Sequence, residues 1–430
     1  MTVSARPRSL SWNGLSHGLL RTWTWIGGAR GALVAGLPLV LLVASPQRVA
    51  ISVVLATIYL VAALVLVRPG RADRSVLLYA TVAAAFIALM LLRMEVLDPL
   101  NAAQRAYGLT KGRYFVAAVV PLALAAALLT SKIDDLRPAV SMFVVMGLGA
   151  AVLTLLLGNG NLFGESRYST LGNVIAVGAA LLAQFWIVRD YRIGVGLALI
   201  TLVGILPTES KQSLVAIAVA LAAGAIYWAL ADRVRVASGR APAFGGYWRL
   251  PLTIGTIAVA VIGGWLLIIL VSNIVPLPLP QAVTNPVKCD CMAGRFAVLL
   301  TNQGGRNELL VAAWGLFTNH PLLGAGLGAF LGQAGSDYAY PHNVPLEIAS
   351  EMGVIGLLIL LAPLVVGWVR LAVAGIRAGS PAVASAIMIV LVYLVVANLS
   401  GDLASERGFW IFGLVVLKLS LRPNPAEVHI

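Results

Sequence analysis

The sequence predicts an all-α, polytopic membrane protein of about twelve transmembrane helices, forming one membrane domain over residues 1–430. Two observations predict this class. The chain is 60% hydrophobic and only 11% charged, with a mean hydropathy of +0.93, whereas a soluble domain carries about a quarter charged residues. The apolar residues are also gathered into long blocks separated by short basic connections, as spans of roughly 20 residues demand.

The blocks run over 31–46, 50–67, 75–92, 114–130, 139–158, 171–188, 193–207, 213–231, 250–276, 352–369, 382–400 and 409–421. The first lacks a cleavage site and is followed at once by another apolar block, so it reads as a retained helix. Pro38 and Pro121 fall inside blocks, where neighbouring helices can satisfy the freed backbone groups. The segment "SGRAPAFGG" reads as a flexible basic connection.

Lys and Arg alternate in density between successive connections. With the N-terminus inside, 19 of the 30 fall on the inner side, including the tight "RPGRADR" and "RDYR" connections. That places both termini in the cytoplasm. The formal charge of +13 is spread over block ends, which argues for headgroup contacts and against nucleic acid.

This topology puts the longest connection, residues 277–351, outside, between the ninth and tenth spans. A connection of that length is usually functional or disordered. "GGRNELLVAAWGLF" spaces Leu310, Ala313, Trp314 and Phe317 by three and four, predicting an amphipathic helix. "HNVPLEIASEMG" offers Asn343 as a cap, Pro345 near the first turn and Glu347 beside it, predicting a second short interfacial helix. Cys289 and Cys291 lie one residue apart. A disulfide at that spacing is strained, and a local bridge and two free thiols both stay open. No zinc-like spacing accompanies them.

Candidate chemistry sits on the outer side. His342, at the start of a predicted helix, meets a partial positive charge that disfavours imidazolium, and a neutral ring suits a general base. The bland alternative is a histidine that merely supports the helix start. Arg167, Lys211 and Arg306 each flank an outer helix end. Charge at membrane depth costs about 2.5–3.5 kcal/mol at a helix centre, which makes such cations functional candidates. Each alone suits a lipid headgroup, while the three together suit one diphosphate. Glu347 could orient His342 or complement the helix dipole. Gly324, Gly326 and Gly328 lack the strand context of a dinucleotide fingerprint and suit close backbone packing.

The stretch from Arg306 to Gly356, "RNELLVAAWGLFTNHPLLGAGLGAF…YPHNVPLEIASEMGVIG", resembles the signature region of the O-antigen ligase/polymerase family. The shared features are an Arg, a Trp, Pro-Leu-Leu-Gly-x-Gly-x-Gly, His-Asn and Glu-x-Gly. "SRYSTLGN" and "ESKQSLVAI" are weaker matches. The resemblance implies a GT-C-like, metal-independent and cofactor-free glycosyltransferase of the bacterial inner membrane, working at the periplasmic face. It implies an undecaprenyl-diphosphate-linked glycan as donor and a lipid A–core oligosaccharide as acceptor. His342 would be the catalytic base and Arg306 a catalytic and diphosphate-binding residue beside Arg167 and Lys211, with Asn343, Glu347 and Trp314 in support. Family members usually carry arginine where this chain has Lys211, so the bidentate fork is lost there.

Two alternatives remain. A polysaccharide polymerase of the same family often has a second sizeable external loop, but here the 93–113 connection is modest, which favours a ligase. A twelve-helix transporter is a poorer fit, since such proteins place their long link between six-helix halves on the cytoplasmic side.

Overall fold

In the computed structural model the described residues are 28–44, 48–96, 100–157, 168–188, 200–201, 203–205, 210–239, 306–333, 338–399 and 401–422. Among them the chain is all-helical, with no strand. The principal helices are α1 (Ala29–Val43), α2 (Val49–Leu66), α3 (Arg71–Val96), α4 (Ala102–Leu129), α5 (Arg137–Leu157), α6 (Tyr168–Val188), α7 (Lys211–Ala237), α8 (Arg306–Asn319), α9 (Val344–Ala378), α10 (Pro381–Leu399) and α11 (Arg407–Ser420). Seven helical stretches among the described residues are long and apolar enough to cross a membrane. The expected ninth span and both cysteines lie outside the described residues, as does most of the seventh span.

α11 is buried along its whole length and α10 along most of it, so these two form the centre of the bundle. α3, α4, α6, α7 and α9 pack around them. The perimeter is apolar: Val54, Val65, Leu78, Val145 and Leu156 are all exposed. A surface of that kind is stable only against hydrocarbon.

Two prolines leave the same mark. A π-helical turn at Phe115–Val119 precedes Pro121, and another at Leu357–Leu361 precedes Pro363. Proline cannot donate to the carbonyl four residues back and its ring crowds that group. The wider turn absorbs both effects without ending the helix.

The two short helices expected outside the membrane differ from expectation in two respects. α8 stands alone, as the periodicity predicts. The second is joined end to end with the tenth span as α9, interrupted only at Gly353, where φ is 67° and ψ is −166°. Residues Pro321 and Leu322 fill that break, their carbonyls accepting from Val354 N–H (2.8 Å) and Ile355 N–H (3.2 Å). α8 also turns a different face inward. Leu309 and Ala313 pack with Phe330 and Leu346, leaving Leu310 and Trp314 exposed.

Candidate active site

The start of α9 is built by its own sequence. Asn343 is the cap, its Oδ1 accepting from Leu346 N–H at 2.8 Å, and Pro345 occupies the first turn. The other end of the Asn343 amide donates to Asn398 O of α10 at 3.1 Å. The residue before the cap, His342, has φ 56°, the one positive value outside glycine among the described residues. That conformation is uncommon for a side chain with a Cβ and persists where the surroundings impose it. Tyr338 and Tyr340 place their rings 5.3 and 4.5 Å from the imidazole, leaving it half-buried.

The glycine-rich segment explains how a loop reaches this position. Gly324, Gly326 and Gly328 all have positive φ. Ala325 N–H and Gly326 N–H donate to Ser350 O (2.8 Å) and Glu351 O (3.1 Å). A Cβ on Gly324 would strike the Glu351–Met352 backbone, and one on Gly328 would strike Gln104 and Gly108 of α4. Gln104 Nε2 donates to Ala329 O and Leu331 O, both at 3.0 Å. The loop is thus wedged between α4 and the broken part of α9.

Beneath it lies a buried charge cluster. Lys111 Nζ of α4 is 2.6 Å from Glu347 Oε1 and 2.6 Å from Glu351 Oε2. Glu347 Oε2 accepts from Leu403 N–H at 2.7 Å. The 401–406 segment that supplies this amide also carries Asp402 and buried Glu406. Burial, with Asp402 nearby, pushes the Glu406 carboxyl up to about 8 against the pull of Arg407. Arg407 itself donates to Leu41 O at 3.0 Å.

The helix ends that adjoin the predicted cations face the same end of the bundle. Tyr227 Oη donates to Ser380 O at 2.9 Å, so the late part of α7 meets the start of α10 and the two run antiparallel. Roughly sixteen residues separate Tyr227 from Lys211, about 24 Å of helix, which lifts the start of α7 to the level of the end of α10. Ser213 Oγ donates to Asn173 Oδ1 at 2.9 Å and contacts Ser210 Oγ at 2.6 Å, bringing the start of α6 to the same level. The Leu309–Leu346 packing brings the first half of α8 beside the first turn of α9.

Lys211 and Arg306 open α7 and α8, but their side chains, like the whole of Arg167, lie outside the described residues. Trp314 points away from the cluster core, 57% exposed, its ring 5.4 Å from Phe317.

Residues 152–361, a little under half of the chain, match the family model described as O-antigen ligase. This region is similar to the O-antigen ligase family. A search of curated proteins found no match. Within the matched region fall His342, Asn343, Glu347, Glu351, Arg306, Lys211 and Arg167. Sequence reasoning missed Lys111 and Asp402, which act on Glu347 from outside the matched region, and Glu406 and Arg407, which adjoin Asp402. The available signal was the lysine of "GLTKGRYF", just ahead of the fourth apolar block, where a charge drawn into the bundle would need a partner.

Proposed function

We propose that the protein is a glycan ligase of the bacterial inner membrane. It transfers an O-antigen glycan from undecaprenyl diphosphate to a lipid A–core oligosaccharide on the periplasmic face, without a metal. Twelve spans in a GT-C-like arrangement, cytoplasmic termini and a periplasmic 277–351 loop belong to the same reading.

The observation that carries it is His342, held with φ 56° against two tyrosine rings, directly ahead of an Asn-capped helix. It lies in the part of the chain that matches the O-antigen ligase family. In this reading His342 removes the proton from an acceptor hydroxyl as the oxygen attacks the anomeric carbon. The bond from that carbon to the diphosphate breaks on the opposite face, so the configuration inverts. The diphosphate leaves with added negative charge, which Arg306, Arg167 and Lys211 are suited to stabilise.

The test uses purified protein in vesicles with lipid-linked glycan and either lipid A–core or further glycan as acceptor. Glycan joined to lipid A–core is the expected product, and His342→Ala is expected to slow its formation by about 10²–10⁴-fold. A lengthening lipid-linked chain would make the protein a polymerase instead. Transfer to neither acceptor would overturn the assignment, and loss of activity on chelation would overturn its metal-independent form.

A further inference from the structure

Lys111 lies within a candidate membrane span, Ala102–Leu129, and its side chain is 2% exposed. Its two carboxylate partners are completely buried, and its ammonium also stands 5.0 Å over the Tyr107 ring. Ionised groups at such depth mark functional positions by default. Glu347 and Glu351 lie on successive turns of α9, both before the Gly353 break. One ammonium therefore ties the whole leading segment of α9 to α4. The same Glu347 takes the Leu403 amide, so the tie extends to the 401–406 segment. The cluster is unbalanced: two carboxylates face one ammonium, and Glu351 Oε1 has no hydrogen-bond partner.

We infer that Lys111 is a positioning residue for His342. By holding Glu347 and Glu351 it fixes the helix start that carries Asn343 and His342, together with the 401–406 segment packed on it. It also offsets the negative charge of Glu347 and Glu351, which follow His342 in the first turns of α9. The charged and titratable groups around it are Glu347 and Glu351 of α9 and Tyr107 of α4, with Asp402 acting on Glu347 and, beyond it, Glu406 and Arg407 adjoining Asp402. Lys111 touches no reacting atom. The kinetic part of this inference rests on the glycan-transfer reading, whereas the ordering of the 401–406 segment does not.

The experiment compares Lys111→Met, Lys111→Arg and the neutral triple variant Lys111→Met/Glu347→Gln/Glu351→Gln in vesicles. The triple variant leaves no buried charge unpaired, so it carries the test if Lys111→Met fails to fold. Lys111→Met and the triple variant should lower kcat by about 10²-fold, with KM for the donor changed far less, because the base is displaced and the donor site is not. In Lys111→Met the uncompensated carboxylates favour imidazolium, so the acidic limb of the pH–rate profile should move to higher pH. Lys111→Arg should recover a large part of the lost rate. Amide exchange at Leu403 should quicken in both uncharged variants, a readout that needs no activity. Wild-type kcat and wild-type exchange at Leu403 in either variant would overturn the inference. Wild-type protein that transfers no glycan, beside quickened exchange at Leu403, would instead overturn the reaction and leave the positioning role standing.

Discussion

The two ends of the bundle handle buried charge differently. At the end away from His342, Lys418 of α11 pairs with Asp73 of α3, and its ammonium also donates to Ala127 O at 2.6 Å. Nearby, Arg30 bonds Asp135 and Leu129 O, each at 2.6 Å. Each cation there has one carboxylate and at least one carbonyl from the last turn of α4, where the helix dipole welcomes positive charge. At the His342 end Lys111 faces two carboxylates, Glu406 and Asp402 stand close by, and a histidine holds a strained backbone. Pairing one cation with one carboxylate ties helices together. Excess charge beside a strained residue is the mark of a working site, since a fold has no need of it.

That contrast is open to disproof at each end. Lys418→Met should give the largest loss of stability, about 3–5 kcal/mol, because it strands Asp73 in the interior. Transfer activity per folded molecule should stay at the wild-type level. Denaturation in detergent, followed beside an activity assay, checks both. A Lys418→Met protein that folds normally but transfers poorly would erase the distinction between the ends.

A glycine substitution at the other end should cost less stability but more activity. Gly324 has φ 71°, and its Cα faces the backbone of Glu351 and Met352. Gly324→Ala should cost about 1–3 kcal/mol through the left-handed conformation, plus the displacement of α9 needed to admit the methyl group. Because the displaced segment carries His342, the rate per folded molecule should also fall. Equal loss of rate in Gly324→Ala and Lys418→Met would show that activity follows general stability and not the geometry of one end.

Much of this architecture can be read along the chain. Hydropathy locates the seven stretches long and apolar enough to cross a membrane, and the cap at Asn343 with Pro345 behind it follows from local rules that act within one turn. The glycines of "GAGLGAF" signal close backbone approach because nothing larger fits there. What escapes is whatever depends on pairing across distance. Lys111 and Glu347 are 236 residues apart, and the first-turn position of Glu347 invited a helix-dipole role that its buried partners replace. α8 shows a second limit. Leu309, Ala312, Ala313 and Leu316 are spaced as helically as Leu310, Ala313, Trp314 and Phe317, so the helix offers two apolar faces. Only contact with Phe330 and Leu346 chooses between them. The join between the predicted interfacial helix and the tenth span was hidden for the same reason: Gly353 looks like a terminator until the Pro321 and Leu322 carbonyls bridge it.

The smallest expected effect concerns the protonation of Glu406. Burial raises its carboxyl in the folded protein from 4.5 to about 8. The folded state therefore binds a proton more tightly than the unfolded chain, and it holds more protons throughout that interval. Stability from this group is complete at low pH, declines as pH rises above 4.5, and is lost as pH passes through about 8. Between pH 7 and 9 the decline amounts to about 1 kcal/mol. Glu406→Gln, which keeps the shape without the titration, should flatten that part of the stability–pH curve. A Glu406→Gln protein whose stability falls between pH 7 and 9 as steeply as the wild type's would place the excess acidity elsewhere, and the division of the bundle into a tied end and a working end would fail.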